Sequence, residues 1–102
     1  MTNTWKHTER AVAQALGGKR TGNSGRNTSD VDHDWLAVEV KHRAELPAWL
    51  KDAIAQARRN AAGDKLAVAV LHEAGRRHDD DLVVMRLADW GDWFGSNLGV
   101  SE

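Results

Sequence analysis

A short acidic segment followed by an apolar run that ends in Glu-x-Lys constrains the fold of this chain most strongly. The acidic part contains Asp30 and Asp32, and the apolar run ends in Glu39 and Lys41. In an extended chain, successive side chains point to opposite faces, so Asp30 and Asp32 share a face. By the same rule, Glu39 and Lys41 lie on one face of the following strand. We therefore predict two strands, joined by a tight turn near residues 33–34, that bring carboxylates and an amine together.

The length and composition indicate one small domain that spans residues 1–102. The chain contains no cysteine, which excludes disulfides and thiolate metal sites. No apolar run approaches the roughly 20 residues of a membrane span, and the N-terminus lacks a signal-peptide apolar region. We expect a cytoplasmic protein, in a bacterial, archaeal or phage-infected cell, with no membrane partner and no organic cofactor.

The hydrophobic pattern predicts the element order α-β-β-α-β-β-α. The expected fold class is α/β, with a mixed sheet of about four strands flanked by helices. Residues 66–72 form a continuous apolar run, which is typical of a strand buried on both faces. The predicted helices cover residues 4–16, 46–62 and 88–94, the remaining strands lie within 30–41 and at 82–87, and the tail at 95–102 is expected to fray.

The segment at residues 17–29 is rich in glycine and basic residues and lacks hydrophobic periodicity. It predicts a long, flexible loop, of the length that is usually functional or disordered in a compact domain. Glycine lets a backbone approach phosphate closely, and lysine and arginine attract it. An ordinary surface turn is the alternative. The candidate DNA-contacting residues are Lys19, Arg20, Ser24, Arg26 and Arg43.

The acidic pair and the lysine suggest phosphodiester hydrolysis. Magnesium prefers oxygen ligands, typically one or two carboxylates with waters and substrate oxygens. Asp30 and Glu39 would supply such carboxylates from neighbouring strands. Lys41 would neutralise charge on the phosphate or orient the attacking water. A bound metal ion can activate that water and stabilise the leaving oxygen.

These residues resemble the motif of the PD-(D/E)xK nuclease superfamily. Ser29-Asp30 followed by Glu39-Val40-Lys41 is similar to that motif, with serine in place of proline. The superfamily often carries a glutamate on the preceding helix, which matches Glu9, and a glutamine on the following helix, which matches Gln56. The layout over residues 5–87 is similar to small phage-type and archaeal Holliday-junction resolvases.

The resemblance implies a restriction-endonuclease-like fold and Mg²⁺- or Mn²⁺-dependent cleavage of DNA. It implies metal ligation by Asp30, Glu39 and the backbone carbonyl of Val40. It also implies a catalytic role for Lys41. Two further catalytic candidates, Glu9 and Gln56, would support the metal or its waters. Asp32 is the alternative ligand to Asp30, which is preferred because an apolar residue follows it.

The expected partners are DNA, branched or duplex, and a second copy of the chain. Two-fold symmetry would provide the paired cuts that a junction needs. Trp90, Trp93 and Phe94 are candidate dimer contacts, with a place in the core as the alternative. A catalytically silent binding module on the same fold, and a restriction- or repair-type nuclease for linear duplex, are the alternative functions.

Each candidate also has a purely structural interpretation. Glu39 and Lys41 could form a salt bridge on a solvated face, and Asp30 could be a turn residue. Glu9 could reach solvent from the edge of its apolar stripe, and Gln56 could be an ordinary surface residue. The histidines show no recognisable zinc spacing, because the i, i+4 pair is missing, and are expected at the surface or rim.

Overall fold

The computed structural model describes residues 4–21 and 30–95. Of these, the residues up to Ala44 form one compact unit with Phe94 and Gly95, and Glu45–Trp93 form a second. The elements are α1 (Thr4–Leu16), β1 (Lys19–Arg20), β2 (Val31–Asp32), α2 (Ala48–Asn60), β3 (Ala69–Leu71), β4 (Leu82–Val84) and α3 (Leu87–Phe94), with a 3₁₀ turn at His78–Asp80 between β3 and β4.

The predicted α/β class is confirmed, but the first two strands lie at Lys19–Arg20 and Val31–Asp32 rather than both within 30–41, and the sheet differs from the predicted one. The described residues form two separate antiparallel sheets of two strands each, β1 with β2 and β3 with β4. A mixed sheet of about four strands is therefore not what these residues build. None of the described helices has the length and apolar composition needed to cross a membrane.

The end of α1 is set by two consecutive glycines. The Gly18 N–H donates to the Ala13 carbonyl at 2.8 Å, and the Gly17 N–H donates to the Gln14 carbonyl at 3.2 Å. This pair of bonds, with Gly17 at φ 81°, is the Schellman motif that closes many helices. It turns the chain back so that Ala13 and Leu16, both buried, face the following strands.

The core of the first unit is centred on Val31, whose side chain is only 1% exposed. Val31 pairs with Arg20 across the β1–β2 ladder and forms an antiparallel bridge to Val38. The predicted loop at 17–29 is therefore wrong for Lys19 and Arg20, which are a strand. Its remainder, residues 22–29, lies outside the described residues, as does the predicted frayed tail beyond Gly95.

The predicted second strand of the 30–41 segment is reduced to the single bridge at Val38. The turn before it is held by the half-buried ring of His33. Its Nε2–H donates to the Leu16 carbonyl at 2.9 Å, and its Nδ1 accepts from the N–H groups of Trp35 and Leu36 at 3.2 and 3.3 Å. The His33 ring thus bonds to the backbone N–H groups of Trp35 and Leu36, which in a regular hairpin would bond to the opposite strand.

The second unit is a β-hairpin with α2 packed against β3. Ala67 is its buried apolar residue, and the Arg58 guanidinium on α2 donates to the Asp89 carboxylate on α3 at 3.2 Å. Residues 66–72 are not a strand buried on both faces. The regular strand covers only Ala69–Leu71, and its central Val70 is 59% exposed, because no second layer covers that face among the described residues.

We predict that Gly18→Ala destabilises the first unit. A Cβ at Gly18 would collide with the Asp32 carbonyl oxygen and would lie 2.8 Å from Val31 Cγ1. Because one of these atoms belongs to the backbone, the β1–β2 pairing must shift. The expected loss is about 1–3 kcal/mol in the free energy of unfolding, measured by urea denaturation.

The matched control is Gly63→Ala, since nothing lies within 4 Å of a Cβ at that position and its φ is not positive. The control is expected to be neutral or to stabilise by about 0.4–1 kcal/mol. Equal stability of the two variants would contradict the close packing of Gly18 against β2.

Candidate functional site

Asp30 lies directly against the segment that carries Glu39 and Lys41. The Asp30 N–H donates to the Val38 carbonyl at 2.8 Å. The Val40 N–H donates to Asp30 Oδ2 at 2.6 Å. A hydrogen bond to an ionised carboxylate is short and about twice as strong as a neutral one. The half-buried carboxylate is therefore held on the peptide group between Glu39 and Val40, inside the Glu39–Lys41 segment.

The two aspartates of the motif have different environments. The backbone N–H and carbonyl of Asp30 bond to Val38 and Thr21, and its carboxylate bonds to Val40. Asp32 is exposed and pairs with Lys19 across the ladder. Of the two candidate ligands, Asp30 is the one whose carboxylate is bonded to the Glu39–Lys41 segment.

Glu39 and Lys41 form an ion pair with each other. Lys41 Nζ lies 3.2 Å from Glu39 Oε2, and the two side chains are 64% and 62% exposed. Exposed pairs of this kind contribute about 0–1 kcal/mol, because solvent screens them and both long side chains lose freedom. Glu39 and Lys41 therefore form a solvated salt bridge. Either side chain can give up this contact for another at a small cost in free energy.

Glu9 is held in a different way, by a half-buried ion pair with Arg20. The Arg20 Nε donates to Glu9 Oε1 at 2.6 Å, and the side chains are only 19% and 15% exposed. The Arg20 guanidinium also lies 5.8 Å from the ring centroid of Trp5. Glu9 does not extend into solvent from its stripe, and Arg20 is committed to a contact inside the first unit rather than open for phosphate.

The remaining predicted site residues are distributed over both units. Gln56 is an exposed residue of α2 in the second unit. Lys19 and Arg43 are exposed in the first unit, whereas Ser24 and Arg26 lie outside the described residues. Lys19 and Arg43 are thus the basic candidates whose side chains are open to a polyanion.

One cluster was not predicted from the sequence. His72 Nδ1 lies 2.6 Å from Asp81 Oδ1, and His78 Nδ1 lies 3.1 Å from Asp81 Oδ2. The two imidazole rings stack at 4.2 Å between centroids. The six-residue separation of the histidines fits no linear zinc pattern. The signal that could have found the cluster is the hairpin register, which places His72 opposite Asp81.

Among the described residues, the cluster of His72, His78 and Asp81 is the group that brings three metal-ligating atoms within 4.8 Å of one another. The predicted ligands Asp30, Glu39 and Glu9 do not form such a group. Each of the three has a different partner, a hydrogen bond from Val40 for Asp30 and ion pairs with Lys41 and Arg20 for Glu39 and Glu9, and their role in metal binding stays a prediction.

No family model, curated protein or solved structure matches this chain.

We predict that the two glutamates of the candidate site differ sharply in their effect on stability. Glu9→Gln removes the counter-charge of a half-buried arginine and is expected to cost about 1–3 kcal/mol in the free energy of unfolding. Glu39→Gln breaks an exposed pair and is expected to change it by less than about 0.5 kcal/mol. Urea denaturation of both variants measures the difference, and a Glu39 effect as large as that of Glu9 would contradict the assigned environments.

Proposed function

We propose that this protein is a divalent-metal-dependent endonuclease that hydrolyses phosphodiester bonds in branched DNA such as Holliday junctions. The observation that carries the proposal is the bond from the Val40 N–H to the Asp30 carboxylate. It joins Asp30 to the segment that carries Glu39 and Lys41 within one unit, which supports a site of the PD-(D/E)xK type.

The chemistry of the donor set fits Mg²⁺ or Mn²⁺. These ions take oxygen ligands, and a carboxylate that accepts one hydrogen bond retains lone pairs for a cation. Asp30, Glu39 and the carbonyl of Val40 would hold the ion, with Asp30 already fixed on the Val40 peptide. When bound, the ion neutralises phosphate charge and activates water.

The weak pairing of Glu39 with Lys41 suits a site that must rearrange when substrate arrives. The carboxylate can leave Lys41 for a cation at a cost of about 0–1 kcal/mol, since the pair is exposed. The released Lys41 ammonium can then donate to a phosphate oxygen or orient the attacking water. Glu9 and Arg20 stay paired and keep α1 against β1, which makes Glu9 a support rather than a mobile ligand.

Local charge rather than overall charge supports DNA binding. The formal net charge is −1. In the first unit, however, the exposed Lys19 and Arg43 flank the candidate site along the chain. Basic side chains of this kind bind the phosphate backbone and position the duplex without reading its sequence.

We further propose that the active form is a homodimer. Apolar side chains on α3 support this, because Leu87, Trp93 and Phe94 are 41%, 50% and 46% exposed. Exposed tryptophan is enriched among residues that dominate the binding energy of protein interfaces. A two-fold dimer would present two equivalent sites, as paired cuts across a junction require.

We predict that purified protein cleaves a labelled four-way junction when Mg²⁺ is present, and that Lys41→Ala lowers the single-turnover rate at least about 100-fold. The loss is expected because a positive charge beside the transferred phosphate acts mainly in the transition state. The matched control is Lys65→Ala, an exposed lysine of the second unit, which should cleave at the wild-type rate.

The same assay with the matching linear duplex separates the substrate classes. Preference for the junction supports the resolvase assignment, whereas equal cleavage of both substrates favours a restriction- or repair-type nuclease. Equal rates for Lys41→Ala and wild type, or metal-independent binding with no cleavage at all, would contradict the proposed enzyme and favour the silent binding module.

For the dimer, we predict that Trp93→Ala weakens self-association at least about tenfold, measured by sedimentation equilibrium. Trp49→Ala is the matched control, since Trp49 is a similarly exposed tryptophan, at 61%, on α2. A wild-type protein that sediments as a monomer at micromolar concentration, or equal weakening by both substitutions, would contradict a dimer formed through α3.

A further inference from the structure

The tip of the β3–β4 hairpin holds a second cluster of metal-ligating side chains, in the second unit and outside the proposed nuclease motif. The ladder pairs Ala69 with Val84 and Leu71 with Leu82. Continued by one residue, this register places His72 opposite Asp81. The chain between them closes with the 3₁₀ turn at His78–Asp80, in which the Asp81 N–H donates to the His78 carbonyl at 3.0 Å. Two features of the backbone therefore bring three side chains together.

The geometry of the cluster is defined by one carboxylate between two imidazoles. Asp81 is only 16% exposed, and each of its oxygens faces the Nδ1 atom of one histidine, at 2.6 Å for His72 and 3.1 Å for His78. The rings are nearly parallel, with an interplanar angle of 26°. Asp81 thus orients both rings from a fixed position at the base of the turn.

We propose that His72, His78 and Asp81 bind one divalent transition-metal ion of the zinc type, which clips the hairpin tip closed. Two imidazole nitrogens and one carboxylate oxygen form a donor set that suits Zn²⁺, Co²⁺ or Ni²⁺ rather than Mg²⁺. Three protein ligands leave the remaining positions to water, as an exposed site allows.

The three ligand atoms lie near enough to one another to reach a shared ion. Ligand atoms about 2.0–2.2 Å from zinc lie about 3–3.5 Å apart around it. All three ligand atoms lie within 4.8 Å of one another, so the side chains must draw together by up to about 1.5 Å to reach these separations. The His78 side chain can make this movement, because it is 82% exposed. In the bound state each neutral imidazole carries its proton on Nε2, which leaves the Nδ1 lone pair for the ion.

The local charge also favours a cation. Asp79 and Asp80 lie within the 3₁₀ turn, so the hairpin tip carries two carboxylates in addition to that of Asp81. Asp79 is paired with Arg77 at 2.9 Å, but this pair is almost fully exposed and weakly held. The nuclease motif, by contrast, offers oxygen donors alone. The two sites are therefore expected to prefer different types of metal ion.

Isothermal titration of the full chain with ZnCl₂ tests this site, with excess Mg²⁺ present to occupy any oxygen-donor site. The wild type is expected to bind one Zn²⁺ per chain. His78→Ala, which removes an exposed imidazole with little effect on the fold, and Asp81→Asn, which keeps an acceptor but removes the charge, should each weaken binding at least about tenfold. The matched control is His7→Ala, an exposed histidine of α1, whose affinity should equal that of wild type.

Three results would overturn the proposal. One is the absence of zinc binding by wild type at millimolar metal, which would leave the cluster as a hydrogen-bonded lock of the hairpin. The second is unchanged affinity in both His78→Ala and Asp81→Asn. The third is an equal loss of affinity in His7→Ala, which would indicate diffuse binding to histidines. None of these outcomes depends on cleavage of DNA, so the nuclease proposal stands or falls separately.

Discussion

The first unit depends on the hydrogen bonding of residues 30–32, which contain β2, to the chain on both of their sides. Val31 is the most deeply buried side chain of the described residues, and it lies between Arg20 on one side and Val38 on the other. Gly18 packs so closely against this segment that a Cβ would collide with its backbone. The position of Asp30 follows from this pairing, because the residue before the buried valine is held where its carboxylate reaches Val40.

The described part of the first unit contains two ion pairs that differ in burial, Glu9–Arg20 and Glu39–Lys41. The Glu9–Arg20 pair is half-buried, with a short contact, and stabilises the packing of α1 on β1. The Glu39–Lys41 pair is exposed and contributes little to stability. A pair that costs little to break is well suited to exchange its contacts for a metal ion and a phosphate, whereas the half-buried pair is suited to hold the frame.

The second unit contains a cluster of two histidines and one aspartate, which its backbone brings together. Its hairpin register and a single 3₁₀ turn bring His72, His78 and Asp81 together, although the three are separated by up to nine positions. Hard oxygen donors in the first unit and mixed nitrogen and oxygen donors in the second prefer different metal ions. The proposed cleavage site and the proposed metal site at the hairpin tip are thus expected to bind different metal ions.

The amino-acid sequence by itself determined the helices, because apolar periodicity and the Gly17-Gly18 stop are local signals. The predicted helix at 4–16 ends at Leu16, as α1 does. The sequence also predicted Asp30, Glu39 and Lys41 as the acidic and basic residues of a metal site, and that role stays a prediction. Only the tertiary structure decided how strands pair and which charges meet. A two-residue strand such as Lys19–Arg20 has no periodicity to detect, and the partners of Glu9 and His72 are fixed by register and burial, which depend on parts of the chain distant in sequence.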